Sequence, residues 1–337
     1  MSRITVLGSG AWGTAIALSL ARKGGHEITL WSHRAETAES LGSHRENRHF
    51  LPGFPFPEGL GVTADDAEAV AEAEMLVCAV PSEFLQPAMT RLANHLRAGQ
   101  ILVSTTKGLE DHSFLRMTEV IESCVREAGL TLPVGALSGP SFAQEVAAGM
   151  PTAVTIAFSD PPVAAFVQKE FSSPTLRLYT NNDVIGVEMG GALKNVIAIA
   201  AGVLAGLGLG LNSAAGLITR GIAETTRLAV AAGGQRETLS GLSGVGDLVL
   251  TCTGSLSRNR SVGFELGRGR KLPEILAGLD GKVAEGVRTT RAALGLARKL
   301  GVEMPITEQM GLILDGGKDP KEAVRDLMLR PGRDEED

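Results

Sequence analysis

The sequence has little cysteine and no pattern that would bind a metal ion. Its three cysteines, Cys78, Cys124 and Cys252, are widely spaced and form no CxxC pair. Neither a disulfide framework nor a zinc site is therefore indicated, and the pattern favours a reducing, cytoplasmic setting. We also expect no secretory signal, because residues 3–8 form a strand-like run with no basic segment before an apolar one.

A strong excess of charge is absent as well. The formal net charge is -6 at pH 7, from 32 Lys and Arg against 38 Asp and Glu. This balance gives no reason to expect nucleic acid or a membrane surface as a partner. The most membrane-like segment, residues 196–211, is shorter than the roughly 20 residues that a span needs, and it ends in alternating glycines. We predict a buried helix there.

The first half of the chain alternates short apolar runs with amphipathic stretches. Segment 13–25, between the first two runs, has apolar residues at helical spacing and ends in glycine, which is typical of a helix. Strand, helix and strand repeated in this way predict a parallel sheet with helices on both faces. The strand-like runs are residues 3–8, 27–32, 75–80, 100–105, 134–139, 152–158 and 175–180.

After about residue 183 the pattern changes to long helical segments, including 212–234 and 287–301. A chain of 337 residues is long enough for two domains, since one domain takes roughly 150 residues. We therefore predict an N-terminal Rossmann-like, doubly wound α/β domain at residues 1–185. An all-α C-terminal domain is predicted at residues 186–330.

A GxGxxG motif, formed by Gly8, Gly10 and Gly13, leaves the first predicted strand and opens the first predicted helix. The missing side chains let the backbone approach a pyrophosphate at the helix N-terminus, so the motif favours a dinucleotide site. A glycine-rich turn without a ligand is the alternative.

An acidic residue is absent where the second predicted strand ends, at 31-WSHR-34. An NAD-specific fold normally has an acid there for the ribose hydroxyls. His33 and Arg34 offer positive charge instead, which suits the 2′-phosphate of NADPH. We predict NADP(H) or NAD(H) as the cofactor, with NADPH favoured. A solvated surface turn is the alternative for this pair.

Histidine is absent after residue 112, and charged residues are absent from 195 to 219. Hydride transfer at a carbinol carbon needs a group that exchanges the hydroxyl proton, and histidine is the usual choice. Lys194, which precedes the uncharged run, is then the natural candidate. We predict that it begins a buried helix, where partial burial lowers the pKa of its amine towards the working pH. A lysine that snorkels to the surface is the alternative.

A second polar cluster lies in 244-GVGDLVLTCTGSLSRNRS-261. Asp247 lies in a glycine-flanked predicted turn, and Arg258 and Asn259 follow a Gly-Ser-Leu-Ser turn. A guanidinium beside an amide and hydroxyls suits a phosphate dianion, although a solvated charge cluster is the common alternative. Lys107 and the Gly-Pro-Ser turn at 139–141 follow other predicted strands, where a doubly wound sheet collects its ligands.

Six blocks of the sequence resemble, in the same order, the bacterial NAD(P)-dependent glycerol-3-phosphate dehydrogenases. The blocks are GSGAWGTA, STTKGLE, SGPSFAQEVAAGMPTA, GGALKNVIAIAAG, GVGDLVLTCTGSLSRNRS and VAEGVRTT, and the likeness runs to about residue 315. The resemblance implies reversible reduction of dihydroxyacetone phosphate to sn-glycerol 3-phosphate, the backbone precursor of phospholipids. It also implies a homodimer.

The resemblance assigns roles to individual residues. It implies that Lys194 is the proton acceptor for oxidation of glycerol 3-phosphate, and its implied catalytic set is Lys194, Lys107 and Asp247. The implied substrate-binding set is Lys107, Gly139, Ser141, Lys194, Asp247, Ser257, Arg258 and Asn259. The implied cofactor-binding set is Gly8, Gly10, Ala11, Trp12, Gly13, His33, Arg34, Lys107, Ala143, Arg258, Val283 and Glu285. Ala11 stands where the family often has serine, so a hydroxyl contact is lost there while a main-chain contact is kept.

Two other classes of protein share some of these features. Hydroxyacid dehydrogenases also use a helix lysine after paired glycines, but they resemble K-x-x-x-N, and Ala198 stands at the last position here. A redox-sensing protein would bind the dinucleotide without turnover and would have no need of Lys194 and Asp247 together. Activity on a phosphorylated substrate distinguishes a glycerol-3-phosphate dehydrogenase from these two classes.

Overall fold

The computed structural model describes residues 1–279, 283–332 and 334–335. Strands and helices alternate in the first part of the chain, and every regular element described after Asn181 is helical. The strands are β1 (Ser2–Leu7), β2 (His26–Trp31), β3 (Glu46–Asn47), β4 (Leu51–Pro55), β5 (Leu60–Thr63), β6 (Met75–Cys78), β7 (Ile101–Ser104), β8 (Val134–Ser138), β9 (Thr152–Ala157) and β10 (Leu176–Asn181).

The helices fall into a group that connects the strands and a group that follows them. The connecting helices are α1 (Ala11–Lys23), α2 (Ala35–His44), α3 (Asp66–Ala71), α4 (Ser82–Ala93), α5 (Met117–Glu127), α6 (Ala143–Ala147) and α7 (Pro161–Phe171). The later helices are α8 (Val184–Gly206), α9 (Leu211–Ala231), α10 (Arg236–Leu239), α11 (Asp247–Thr253), α12 (Arg258–Gly267), α13 (Leu272–Ala277), α14 (Glu285–Leu300), α15 (Pro305–Leu314) and α16 (Pro320–Met328). A π-helical turn, Leu242–Gly246, leads directly into α11.

Eight strands form one sheet in the order β10-β9-β8-β7-β6-β1-β2-β5. β1 lies between β2 and β6 and is parallel to both, with Val6 opposite Leu30 and Val77. All three side chains are fully buried, as expected where helices cover a parallel sheet. The predicted fold class, a Rossmann-like α/β region followed by a helical region, is confirmed.

One pairing departs from the predicted parallel sheet, because β9 runs antiparallel to β8. β8 therefore ends at the edge where β9 begins, and the segment around α6 joins them without crossing the sheet. The sequence also gave no prediction of the edge strand β5 or of the hairpin β3–β4. An apolar run predicts a strand but does not encode its direction, and β5 is only four residues long.

The glycine loop joins β1 to α1 through close backbone contacts. Gly8 has a φ of 117°, and a Cβ there would lie 2.8 Å from the carbonyl oxygen of Ala79. A Cβ on Gly13 would collide with the carbonyl oxygen of Gly8, whereas one on Gly10 would meet no atom within 4 Å. The space beside Gly10 is therefore open, next to a helix N-terminus whose first N–H groups have no partner within the helix.

The helical region is organised around α8. By length and composition alone α8 could cross a membrane, but 89% of its most apolar window is buried inside the protein, which is the environment of a core helix. Glycines let α12 approach it closely. A Cβ on Gly263 would collide with the carbonyl oxygen of Ile199, and one on Gly202 would collide with that of Arg260.

The expectation that Lys194 begins a helix is wrong, because α8 starts ten residues earlier, at Val184. Asp183 caps this start by accepting a hydrogen bond from the Gly186 amide at 2.8 Å. Gly190 and Gly191 lie inside this helix and let other elements approach it closely. A Cβ on Gly190 would collide with the Ser243 carbonyl, and a Cβ on Gly191 would collide with the Ser138 hydroxyl. Lys194 therefore lies in the middle of a buried helix.

The predicted domain boundary between residues 185 and 186 falls in the first turn of α8. β10 ends a few residues earlier, at Asn181, and α8 packs against β8 as well as against the later helices. The boundary stays a prediction.

The α8–α12 contact predicts a large difference between two glycine-to-alanine substitutions within helices. Gly263→Ala should lower the free energy of unfolding by about 1–3 kcal/mol, because its Cβ collides with the backbone of α8. The matched control, Gly216→Ala in α9, meets no atom within 4 Å and should be neutral or stabilising. Urea unfolding of both variants measures the difference, and equal stabilities would contradict the close approach.

Candidate active site

A buried carboxylate, that of Asp247, lies between two lysine amines. The Lys107 amine donates to Asp247 Oδ2 at 2.5 Å, and the Lys194 amine donates to Asp247 Oδ1. The Lys194 amine also donates to the Thr251 hydroxyl at 2.9 Å. Asp247 is fully buried and Lys194 is 8% exposed, so this charge cluster is largely removed from water.

Three separate parts of the chain position these groups. Lys194 comes from the middle of α8, and Asp247 is the first residue of α11. Lys107 comes from the loop after β7, where the Thr105 and Thr106 hydroxyls donate to the carbonyls of Cys78 and Val80, at 2.9 and 2.6 Å. These bonds hold the loop against the end of β6.

The expectation that Asp247 lies in a turn is wrong. The glycines before it belong to the π-helical turn Leu242–Gly246, which continues into α11. Gly244 is required there because a Cβ would collide with the backbone of Leu239. Asp247 is thus held by helical backbone on its C-terminal side and by tight packing on its N-terminal side.

Burial controls the protonation of this cluster. Burial lowers the pKa of Lys194 to about 7, and the neighbouring Lys107 adds to this effect while Asp247 opposes it. The pKa of Asp247 is lowered, because the two ammonium groups outweigh the opposing effect of burial. Near neutral pH Lys194 can therefore gain or lose a proton while Asp247 stays ionised.

The Gly-Pro-Ser turn lies beside Lys107. The carbonyl oxygen of Gly139 accepts bonds from the Lys107 amine at 3.1 Å and from the Ser141 hydroxyl at 2.9 Å. Gly139 has a φ of 142°, and a Cβ there would lie 2.9 Å from the Val154 backbone. The structure thus brings Gly139, Ser141 and Lys107 together.

The predicted phosphate cradle lies at the start of α12. The Ser257 hydroxyl caps this helix by accepting a bond from the Arg260 amide at 3.2 Å, and Arg258 is exposed. Asn259 is buried, and its amide is used within the protein. It donates to Asn195 Oδ1 at 2.9 Å and accepts from the Gly286 amide at 3.0 Å. Arg258 is therefore the more accessible of the two side chains.

This amide contact ties the cradle to the lysine cluster. Asn259 follows Arg258 in the chain, and Asn195 follows Lys194. Asn195 also donates to the carbonyl oxygen of Lys107 at 3.4 Å. The start of α12 therefore packs against the part of α8 that carries Lys194.

The predicted cofactor residues lie along the carboxyl edge of the sheet. His33 and Arg34 follow β2, are both exposed, and contact each other, with Arg34 Nε donating to His33 Nε2 at 3.1 Å. β2 is separated from β7, whose following loop carries Lys107, by β1 and β6. Three strand spacings are about 14 Å, which suits the two ends of an extended dinucleotide.

The remaining cofactor candidates lie near this edge. Ala11 and Trp12 open α1, Ala143 opens α6, and these two helices pack together. The Trp12 indole N–H is buried without a partner among the described residues. Glu285, which follows Val283 by two residues, accepts from the Ser82 amide at 3.0 Å and from its hydroxyl at 2.5 Å. Glu285 thereby joins α14 to the start of α4.

Asn47, in the hairpin β3–β4, is a site residue that sequence reasoning missed. Its amide donates to the Ser9 carbonyl and to the Thr14 hydroxyl, both at 2.8 Å, and accepts from the Phe50 amide at 3.1 Å. Asn47 is 3% exposed. The hairpin therefore fixes the glycine loop from outside the motif, and no signal at residue 47 in the sequence indicates it.

Within residues 1–279, 283–332 and 334–335, no group of three or more His, Cys, Asp or Glu is placed to hold a metal ion. A nicotinamide dinucleotide, in contrast, fits the residues present, because the space beside Gly10 is open and the exposed His33–Arg34 pair follows the neighbouring strand.

Two protein-family models match the chain. The NAD-dependent glycerol-3-phosphate dehydrogenase N-terminus matches residues 3–164, and the corresponding C-terminus matches residues 183–325. The chain is 62% identical to glycerol-3-phosphate dehydrogenase (NAD(P)+) of Acidobacterium capsulatum, over 99% of this chain and 100% of that protein. It is 55% identical to the protein of the same name from Koribacter versatilis, over 99% of each.

A solved structure is similar over the same length. The crystal structure of glycerol-3-phosphate dehydrogenase from Coxiella burnetii superposes with a TM-score of 0.92 at 39% identity. The match covers 98% of this chain and 99% of that one. The likeness therefore includes both the sheet region and the helical region.

The Asn47 contacts predict a variant that affects cofactor binding without changing cofactor choice. Asn47→Asp keeps the acceptor for Phe50 but removes both N–H donors to the glycine loop. The dissociation constants for NADPH and NADH should rise by a similar factor, at most about 30-fold, since each of the two lost buried bonds costs about 1 kcal/mol. Calorimetric titration measures both constants, with Asn212→Asp, an exposed residue in α9, as the control. Unchanged affinity for both would contradict the role of Asn47.

Proposed function

Because the chain belongs to the NAD-dependent glycerol-3-phosphate dehydrogenase family, we propose that it reduces dihydroxyacetone phosphate to sn-glycerol 3-phosphate, reversibly, with Lys194 as the proton donor. When bound, the nicotinamide cofactor supplies or accepts the hydride at C2 of the substrate. The chain itself supplies the proton, binds the substrate phosphate and aligns C2 of the substrate for hydride transfer.

The observation that carries this proposal is the buried amine of Lys194. Its pKa of about 7 means that both protonation states are available near neutral pH. In the reducing direction the ammonium gives a proton to the carbonyl oxygen, and in the oxidising direction the neutral amine takes the hydroxyl proton. Asp247 and Thr251, which both accept from this amine, fix its position.

The substrate phosphate is proposed to bind at the start of α12. Arg258 is exposed there and can offer two parallel N–H donors to a phosphate, and Ser257 and Asn259 flank it. Lys107, Gly139 and Ser141 approach from the sheet side. Holding the phosphate at one point and the carbinol oxygen at Lys194 aligns C2 for hydride transfer, and such alignment is worth about 7–11 kcal/mol at best.

The cofactor is proposed to be a nicotinamide dinucleotide, with NADPH favoured over NADH. The exposed His33–Arg34 pair supports this preference, and so does the absence of an acid at 31-WSHR-34. The remaining proposed cofactor contacts are Gly8, Gly10, Ala11, Trp12, Gly13, Lys107, Ala143, Arg258, Val283 and Glu285.

The cellular setting follows from the same proposal. We propose a cytoplasmic homodimer that supplies glycerol 3-phosphate for glycerophospholipids, with the domain division at residues 185 and 186. The hydroxyacid dehydrogenase and redox-sensor alternatives are set aside, because the chain matches its relatives over nearly its full length.

Replacing Lys194 should remove the proton transfer while leaving the cofactor site. Lys194→Ala should lower kcat for dihydroxyacetone phosphate reduction by about 10²- to 10⁴-fold, the usual contribution of a positioned acid. NADPH absorbance measures turnover, and calorimetry checks that NADPH still binds. The control is Lys299→Ala, an exposed lysine at the end of α14. Wild-type-like turnover in Lys194→Ala would leave the enzyme assignment but exclude Lys194 as the donor.

The pH dependence tests which protonation state acts. Reduction needs the ammonium, so kcat/KM for reduction, which reports the free enzyme, should fall as the pH rises above about 7, and kcat/KM for oxidation should rise there. In Asp247→Asn the carboxylate that raises the pKa of Lys194 is gone, so both profiles should move to lower pH. Profiles of kcat/KM against pH are measured for both proteins. A shift to higher pH in the variant would contradict this electrostatic account.

A further inference from the structure

An open cavity of about 410 Å³ lies beside the His33–Arg34 pair, and the proposed mechanism leaves it unused. Its walls come from three elements: His33 and Ala35 after β2, residues 64–67 at the start of α3, and Arg91 and His95 of α4 and the turn that follows it. In Rossmann-like folds the segment after this second strand faces the 2′ position of the adenosine ribose. The cavity therefore adjoins the part of the cofactor that distinguishes NADPH from NADH.

The two acidic residues of the cavity are engaged within the protein. Asp65 caps α3, since its Oδ1 accepts from the Glu68 amide at 2.8 Å. Asp66 accepts from Arg91 Nε at 2.5 Å, from Arg91 Nη2 at 3.0 Å and from the Trp31 indole at 3.0 Å. Asp66 is therefore neutralised by a guanidinium, and it is poorly placed to serve as the ribose acceptor of an NAD-specific site.

Arg91 is held rigidly by the same contacts. The Arg91 guanidinium carbon lies 5.2 Å from the centre of the buried Trp31 ring, and the Asp66 carboxylate accepts hydrogen bonds from one edge of the guanidinium. Of the five N–H donors of a guanidinium, two are used by Asp66, so three remain. An arginine oriented in this way loses little entropy when it binds a phosphate.

His95 lies one turn further along and lines the same cavity. Its backbone N–H closes that turn on the Leu92 carbonyl at 3.0 Å, and its side chain is exposed. His33, Arg91 and His95 thus line one opening from two sides, and Arg34 contacts His33 at its edge by donating to His33 Nε2. Asp65 is the one group here whose charge opposes a phosphate and is not paired with an arginine in the structure as described.

We propose that Arg91 and His95 join His33 and Arg34 in one site for the 2′-phosphate of NADPH, so that cofactor choice depends on α4 as well as on the end of β2. This inference rests on the proposed preference for NADPH. Asp65 acts against the phosphate in the same site and moderates the preference.

The test measures dissociation constants for NADPH and NADH by calorimetry at one ionic strength. Arg91→Gln should raise the constant for NADPH about tenfold, and His95→Gln about threefold, because each removes a donor to a charged phosphate. Both should change the constant for NADH by less than about twofold. Asp65→Asn keeps a good helix cap but removes the opposing charge, so it should tighten NADPH binding by about twofold.

A matched control separates this effect from a general loss of charge. Arg177→Gln removes an arginine that also lies over an aromatic ring, that of Tyr179, but at the opposite edge of the sheet. It should change neither constant. If Arg91→Gln is unstable, His95→Gln and Asp65→Asn still test the site from the surface, with opposite expected signs.

The wild type tests the proposed preference for NADPH, and the variants test the role of α4. A wild type that binds NADH as tightly as NADPH would contradict the proposed preference. The inference about α4 is judged by the variants alone. It is supported if Arg91→Gln and His95→Gln weaken only NADPH binding, and it is overturned if they leave the ratio of the two constants unchanged.

Discussion

The site depends on one buried negative charge, the carboxylate of Asp247, which the two lysines neutralise. A buried ionised group is tolerated only when it is paired with an opposite charge. If one partner is removed, the other charge stays buried without a partner, which destabilises the fold. The pairing of Asp247 with Lys107 and Lys194 joins the loop after β7, the helix α8 and the helix α11. The groups proposed to carry the chemistry thus also join the sheet region to the helical region.

Close packing around α8 makes that cluster possible. Lys194 is desolvated because α8 is enclosed along its length, and the enclosure depends on positions without a side chain, such as Gly191 and Gly202 on α8 and Gly263 on α12. A bulkier residue at Gly202 or Gly263 would separate α8 from α12, and one at Gly191 would separate α8 from the end of β8, so that water could enter. The pKa of Lys194 would then return towards that of an exposed amine. Helix packing and proton chemistry are consequently one property of this fold.

Features that depend on nearby residues could be predicted from the sequence. Features that depend on contacts between distant parts of the chain could not. The strand runs and the loop of Gly8, Gly10 and Gly13 were readable because their patterns lie within a few residues. The start of α8 was missed because the residues that pack against Gly190 and Gly191, Ser243 and Ser138, lie far away in the sequence. Asn47 was missed for the same reason, since its partners lie 33 and 38 residues away. The association of Lys107, Lys194 and Asp247 was expected only through the family resemblance.

The charge of the site also connects substrate binding to proton supply. In the proposed substrate complex Arg258 binds the phosphate dianion, and the Asn259–Asn195 hydrogen bond joins the two helices that carry Arg258 and Lys194. On this proposal the phosphate charge would favour the ammonium form of Lys194 and oppose the lowering of its pKa by burial. The phosphorylated ketone would then increase the fraction of Lys194 that is ready to protonate it, whereas a ligand without a phosphate would not. Selectivity for a phosphorylated substrate can thus arise in the chemical step as well as in binding.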